Sequence, residues 1–162
     1  MKQLWAPWRI EYILGKKADS CPFCLPNGRD EDEERLVLFR GRKSFVIMNK
    51  CPYANGHLMV VPYYHAVDFC RLDQETVLEM TLLLQKSTET LQRASTPDGV
   101  NIGMNIGEAA GAGIREHVHF HIVPRWVGDS SFIAVMDEVR LIPEHIKHTY
   151  QRLKPLFDAI SL

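Results

Sequence analysis

His117, His119 and His121 alternate with Val118, Phe120 and Ile122 in a single short run. Successive side chains of an extended strand point to opposite faces, so the three imidazoles share one face above an apolar one. Three neutral imidazoles desolvated together are costly as packing alone, and the pattern points to metal ligation, phosphate chemistry or both. Imidazole nitrogen can hold zinc in a tetrahedral site, or it can attack phosphorus and carry a nucleotidyl group as a covalent intermediate. The histidine run by itself leaves both open.

Cys21-Pro22-Phe23-Cys24 has the spacing of a zinc knuckle, and tetrahedral zinc needs two further nitrogen or sulfur ligands. His65 and His117 are the available candidates, so Cys21, Cys24, His65 and His117 would tie the N-terminal region to a sheet. A metal-free thiol pair, or a redox pair, is the alternative; no strand-then-helix pattern follows the motif, which favours zinc. Cys51 and Cys70 stand alone and are expected to be buried. With His117 given to zinc, His119 is left central on the face and free to act as a nucleophile, since imidazole with a pKa near ~6.5 keeps one nitrogen unprotonated. The stretch Asn105-Ile106-Gly107-Glu108-Ala109-Ala110-Gly111-Ala112-Gly113 offers small side chains, backbone N–H groups and the Asn105 amide, which close approach to a phosphate requires.

These side chains need elements to position them. Leu36–Phe39 and Ser44–Asn49 are apolar and β-branched around Arg40-Gly41-Arg42-Lys43, a hairpin signal. A third strand is expected over His57–Pro62, with His57, Met59 and Val61 on one face and Leu58 and Val60 on the other. From Asp73 to Ala94 leucines and Met80 recur at helical spacing, with Asp73 as N-cap and Pro97-Asp98-Gly99 as the stop. Val100–Ile106 reads as a strand leading through the small-residue loop to the histidine strand. Pro143 is expected to open a C-terminal helix carrying Ile146, Tyr150, Leu153 and Leu156 on its apolar side, with His145 and His148 at the surface. The acidic run Asp30–Glu34 reads as a solvated loop. Residues 4–14 are expected to form an arm in which Trp5 and Trp8 anchor onto the body, with adenine stacking as the alternative role for these rings. The order gives an α+β class with one mostly antiparallel five-stranded sheet, one long helix and a C-terminal helix.

The chain has 162 residues, 46% of them hydrophobic, and a net charge of −1, which fits one domain able to bury its own core. The divisions are an arm at 1–20, a core at 21–126 and a C-terminal extension at 127–162. Nineteen basic against twenty acidic residues give no positive field for nucleic acid. No apolar run is long enough for a signal peptide or a membrane span, so a cytoplasmic protein is expected.

The segments Asn105–Gly111, His117-Val118-His119-Phe120-His121 and Gly56-His57-Leu58-Met59-Val60-Val61-Pro62 together resemble the histidine triad superfamily of nucleotide hydrolases and transferases. The likeness runs from Cys21 to about Trp126. The arm Leu4–Arg9, the Cys21/Cys24 pair and Pro124-Arg125-Trp126 further resemble the bacterial branch that includes diadenosine tetraphosphate phosphorylases. The resemblance implies that His119 attacks the α-phosphate, with His57 and His121 donating hydrogen bonds beside it, and that water or inorganic phosphate resolves the nucleotidyl-imidazole. It implies a ribose contact for Asn49, phosphate contacts for Asn105 and for Gly111, Ala112 and Gly113, a structural zinc on Cys21, Cys24, His65 and His117, and a homodimer. An exposed apolar stripe on the 73–94 helix could supply that interface. The sequence departs from the pattern before the histidine strand, where Gly111-Ala112-Gly113-Ile114 stands in place of the Gly-Gln-Ser/Thr that many triad hydrolases carry. No polar side chain is offered there, so backbone N–H groups must serve, and whether phosphorolysis or hydrolysis follows stays open.

Overall fold

Phe45–Met48 and Leu58–Val61 are apolar at every position, so both of their faces must be covered. In the computed structural model, which describes residues 21–129 and 142–162, they form β2 (Ser44–Met48) and β3 (Leu58–Pro62), buried along their whole length. With β1 (Val37–Arg40), β4 (Gly99–Met104) and β5 (Phe120–Arg125) they make one sheet in the order β1-β2-β3-β5-β4, every pairing antiparallel. The α+β class and the five-stranded sheet are those the sequence indicates. Trp5, Trp8 and the rest of the arm lie outside the described residues.

Placing β5 between β3 and β4 does most to build the site. Leu58 sits opposite Ile122 and Met59 opposite His121, so the residue that leads into β3, His57, comes beside the histidine run. The alternation then sorts side chains onto two faces. Val46, Met48, Leu58, Val60 and Ile122 face the helices, while Phe45, Ile47, Met59 and Val61 face the other way with Phe23.

Helix α2 (Gln74–Ser95) starts where Asp73 accepts the N–H of Thr76, and it lays Met80, Leu83 and Leu91 on the first face. Each such fully buried side chain is worth about 1.5–3 kcal/mol of transfer free energy. Glu79, also on α2, accepts N–H groups of Arg42, Lys43 and Ser44 and the Ser44 hydroxyl, and so closes the β1–β2 turn from across the layer.

Four local expectations are corrected. The C-terminal helix α3 runs Ile146–Asp158, capped by His145 rather than opened by Pro143, because Glu144 turns away to bond Asn55. Its inner stripe is Tyr150, Leu153 and Phe157, with Leu156 39% exposed; 150, 153 and 157 keep the 3.6-residue period against the sheet. Part of the acidic run is a short helix, α1 (Asp32–Arg35), and Asp32 holds Arg40 in a bidentate pair at 2.7–3.1 Å instead of standing in solvent. Cys51 and Cys70 are exposed, because each lies in a connection outside the packed layers. His145 and His148 are exposed, as expected.

Candidate active site and metal centre

Phe23 is the buried residue of the turn that carries Cys21 and Cys24, and it anchors that turn against Met59 and Val61. His65 follows β3 and His117 precedes β5. Their ligating atoms and the two sulfurs all lie within 4.8 Å of one another. Cys21 Sγ is 3.4 Å from His117 Nδ1, and Cys24 Sγ is 3.2 Å from His65 Nδ1. A zinc tetrahedron with bonds of ~2.0–2.3 Å has edges of roughly 3.3–3.8 Å, so a small contraction would close it. The set fits on chemistry as well as on distance. His117 Nε2 lies 2.8 Å from the carbonyl of Pro62, which can only accept; Nε2 therefore carries the hydrogen and Nδ1 keeps its lone pair toward the sulfurs. Burial pushes the Cys21 thiol up.

The same donor-and-acceptor logic fixes the other rings. His119 Nδ1 is 2.8 Å from the carbonyl of His117, so Nδ1 donates and Nε2 is left with a bare lone pair. The ring is 5% exposed, and burial lowers its pKa, partly countered by that carbonyl. It is the neutral, nucleophilic form that the site holds. His57 is set the other way. Its Nδ1 accepts the backbone N–H of Tyr53 at 3.0 Å, so the neutral ring carries its hydrogen on Nε2, which lies 2.9 Å from His121 Nδ1. His121 must then carry its own hydrogen on Nε2. Burial first, and the nearby His119 second, hold its pKa down at about 4. A directed chain results, from the Tyr53 amide through His57 to an N–H at His121, with the His121 ring 4.8 Å from that of His119.

Asn49, half-buried at the end of β2, accepts the N–H of Cys51 and brings its Nδ2 to 3.4 Å from His57 Nδ1. Asn105 is half-buried just past β4. The glycine loop contains a single 3-10 turn, Glu108–Ala110, between Gly107 and Gly111, whose φ angles of 81° and 79° are ones a side chain resists. Of the three backbone amides expected to meet phosphate, those of Gly111 and Ala112 are engaged within the loop, on the carbonyls of Glu108 and Gly107. Among the described residues, and apart from the chain neighbours, no heavy atom lies within 4 Å of where a Cβ would stand on Gly107, Gly111 or Gly113.

Sequence reasoning brought together His57, His119 and His121, and separately the two cysteines with His65 and His117. It missed that Phe23 packs on both groups, with ring centroids 5.6 Å from His117 and 4.8 Å from His119. The residue between two zinc-spaced cysteines was the available signal. Tyr53 was missed as well; its ring lies 4.5 Å from His57 and 5.7 Å from His121.

Among known proteins, a protein of Mycobacterium tuberculosis named AP-4-A phosphorylase is 33% identical over 161 residues, covering 94% of this chain and 83% of that one. The adenosine 5'-monophosphoramidase hnt1 of Schizosaccharomyces pombe is 29% identical over 135 residues, 78% of this chain and 96% of its own. A solved zinc-bound histidine triad family protein from Mycobacterium smegmatis superposes with a TM-score of 0.66 at 27% identity, covering 86% of this chain and 94% of that one. The HIT domain profile matches residues 30–127, the stretch that holds β1 through β5 and all three histidines of the run, and the chain belongs to the HIT (histidine triad) domain family.

Proposed function

We propose that this protein is a nucleotidyl hydrolase or transferase that cleaves dinucleoside polyphosphates of the diadenosine tetraphosphate kind at the α-phosphate. The observation that carries the reading is the bare Nε2 of His119, held by the Nδ1–H bond to the His117 carbonyl beside an N–H presented by His121. Nε2 attacks the α-phosphorus and the bond to the bridging oxygen breaks, so that a nucleoside polyphosphate leaves as its anion. The ring becomes a cation while its Nδ1–H stays on the carbonyl of His117, which stabilises that charge. His121 donates to the phosphoryl oxygens, where negative charge builds up. Phosphate or water then attacks the same phosphorus, the N–P bond breaks, and the acceptor's proton passes to solvent.

Asn49 and Asn105 are the residues we assign to ribose and phosphate, and Gly111, Ala112 and Gly113 give the polyphosphate close approach. Cys21, Cys24, His65 and His117 would hold a structural zinc, whose chemistry is to cross-brace the fold. The whole chain, 1–162, acts as one domain and as a cytoplasmic homodimer. Among the described residues two features support pairing of copies: Leu78 and Leu82 are 61% and 40% exposed on the outer face of α2, and β4 is the last strand of the sheet, with Ile102 49% exposed. No helix among the described residues is long and apolar enough to cross a membrane.

Product analysis on diadenosine tetraphosphate tests the reading, with and without inorganic phosphate, in the parent and in His119→Ala. ATP plus ADP formed only with phosphate makes it a phosphorylase, and ATP plus AMP without phosphate makes it a hydrolase. Turnover that survives His119→Ala sinks the covalent mechanism. Adenosine phosphoramidate hydrolysis is the second reading, favoured by the likeness to the monophosphoramidase; it predicts ammonia and AMP from that substrate and no turnover of the dinucleotide.

A further inference from the structure

The histidines that the mechanism uses are delivered by two strands, yet the turn that orients His57 is held from the C-terminal segment. One oxygen of Glu144 accepts from Asn55 Nδ2 at 2.9 Å, from the Thr149 hydroxyl at 2.7 Å and from Arg152 at 2.8 Å. Arg152 also reaches the Ala94 carbonyl and the Ser95 hydroxyl, so the cluster is fastened to the end of α2. Arg152 first, with the Asn55 and Thr149 hydrogen bonds helping, holds the Glu144 carboxyl at about 2, ionised throughout the physiological range. Asn55 lies in the middle of the turn Tyr53-Ala54-Asn55-Gly56-His57. The His57 N–H closes that turn on the Ala54 carbonyl, and Gly56 turns the chain at φ 76°. The crevice between this turn and residues 142–149 is narrow, about 10 Å³, room for one water at most, so the two segments lie close together.

We propose that Glu144 and Asn55 are a positioning pair for the active-site histidines. By fixing the 53–57 turn, they keep the Tyr53 amide on His57 Nδ1, and thereby the direction of the hydrogens at His57 and His121. The inference rests on the proposed function above. If the Tyr53 amide moves away, the longer 3.4 Å contact from Asn49 Nδ2 is the weaker donor left at His57 Nδ1, and the ring can carry its hydrogen there and accept on Nε2. His121 must then donate from its own Nδ1, and a bare nitrogen replaces the N–H that faces the phosphoryl oxygens. A donor would become a lone pair directed at an anion.

The test compares Glu144→Ala, Asn55→Ala and Glu144→Gln with Glu79→Ala, which loosens the β1–β2 turn away from the histidines. Long-range proton–nitrogen spectra of the imidazoles in the unliganded protein report which nitrogen carries hydrogen, and kinetics on diadenosine tetraphosphate separate kcat from KM. The two alanine variants of the pair should lose on the order of tenfold in kcat with KM within about twofold, the scale of a misplaced catalytic group. His57 should shift toward a mixture of tautomers. Glu144→Gln, whose carbonyl oxygen still accepts from Asn55, should restore both readouts, and Glu79→Ala should lower the melting temperature with kcat intact. Unchanged imidazole spectra in Glu144→Ala, or an equal kcat loss in Glu79→Ala, overturns the proposal. Should Glu144→Ala fail to fold, Thr149→Val, which removes one hydroxyl from the same cluster, carries the comparison. If the parent protein turns over no nucleotide, the functional reading falls while the spectra still decide whether the pair sets the tautomer.

Discussion

The ring of Phe23 packs against that of His119 at 4.8 Å and 57°, so the turn that carries the metal-spaced cysteines is also a wall of the nucleophile's pocket. Phe23 is 3% exposed, and removing such a ring costs about 3–5 kcal/mol. Phe23→Leu, which keeps most of the volume, should retain full metal content and lose several-fold in kcat as His119 gains freedom to tilt. Metal analysis beside steady-state kinetics checks this; unchanged kcat would show that the wall only packs.

Zinc removal should act on stability before it acts on chemistry. Cys21→Ser, or treatment with a strong chelator, should lower metal content and reduce the melting temperature. A loss of about 2 kcal/mol corresponds to roughly 4–8 °C in a chain of this size. Calorimetry with metal analysis reads both. Lost turnover at full thermal stability would mean that the metal takes part in the reaction.

His121 gives the protein a defined acid weakness. Its folded pKa, about 4, lies below the ~6.5 of an unfolded histidine, so below pH 6.5 the unfolded chain binds a proton that the folded chain refuses. Its contribution is complete above about pH 6.5 and declines as pH falls toward 4, by at most ~1.4 kcal/mol per pH unit. Urea midpoints at pH 7.5, 6 and 5 should fall in that order, and His121→Asn should flatten the trend. A parent protein equally stable at all three would contradict the burial argument.

Glu79 accepts from Arg42, Lys43 and Ser44 across the layer, with three of its bonds at 2.8 Å. Glu79→Ala strands the two partly buried amide donors of Lys43 and Ser44 and should cost about 2–3 kcal/mol, read as a lower urea midpoint. Gly41→Ala should act on the same contact from the other side, since a Cβ there would stand 2.5 Å from the Glu79 carboxylate and 2.9 Å from the Ser44 carbonyl.

What the sequence made legible was what repeats locally. The unbroken apolar runs of β2 and β3, the Asp73 cap and the alternating histidines each express a period or a cap that a few neighbouring residues define. The set Cys21/Cys24/His65/His117 is legible because few side chains can ligate zinc, whereas His57 joins His119 and His121 in the sequence only through the resemblance to the histidine triad superfamily. What stayed hidden is pairing across long separations. Glu79 reaches residues 35–37 positions away and Glu144 reaches Asn55 across 89, and no local pattern tells either from an ordinary solvated glutamate. In the sequence Asp32 is one charge in a run, because its partner, Arg40, becomes a neighbour only once the short helix turns back on β1. Cys51 and Cys70 were expected inside because cysteine is usually buried, a prior that their connections override.

The four metal-spaced side chains come from well-separated parts of the chain: Cys24 and His65 stand 41 positions apart, Cys21 and His117 96. A metal held by all four would therefore need the folded chain to gather them, since the unfolded polypeptide offers no comparable site. Its binding free energy would count as folding free energy, so part of this protein's stability would rise and fall with the free metal concentration, where no inventory of folded contacts records it.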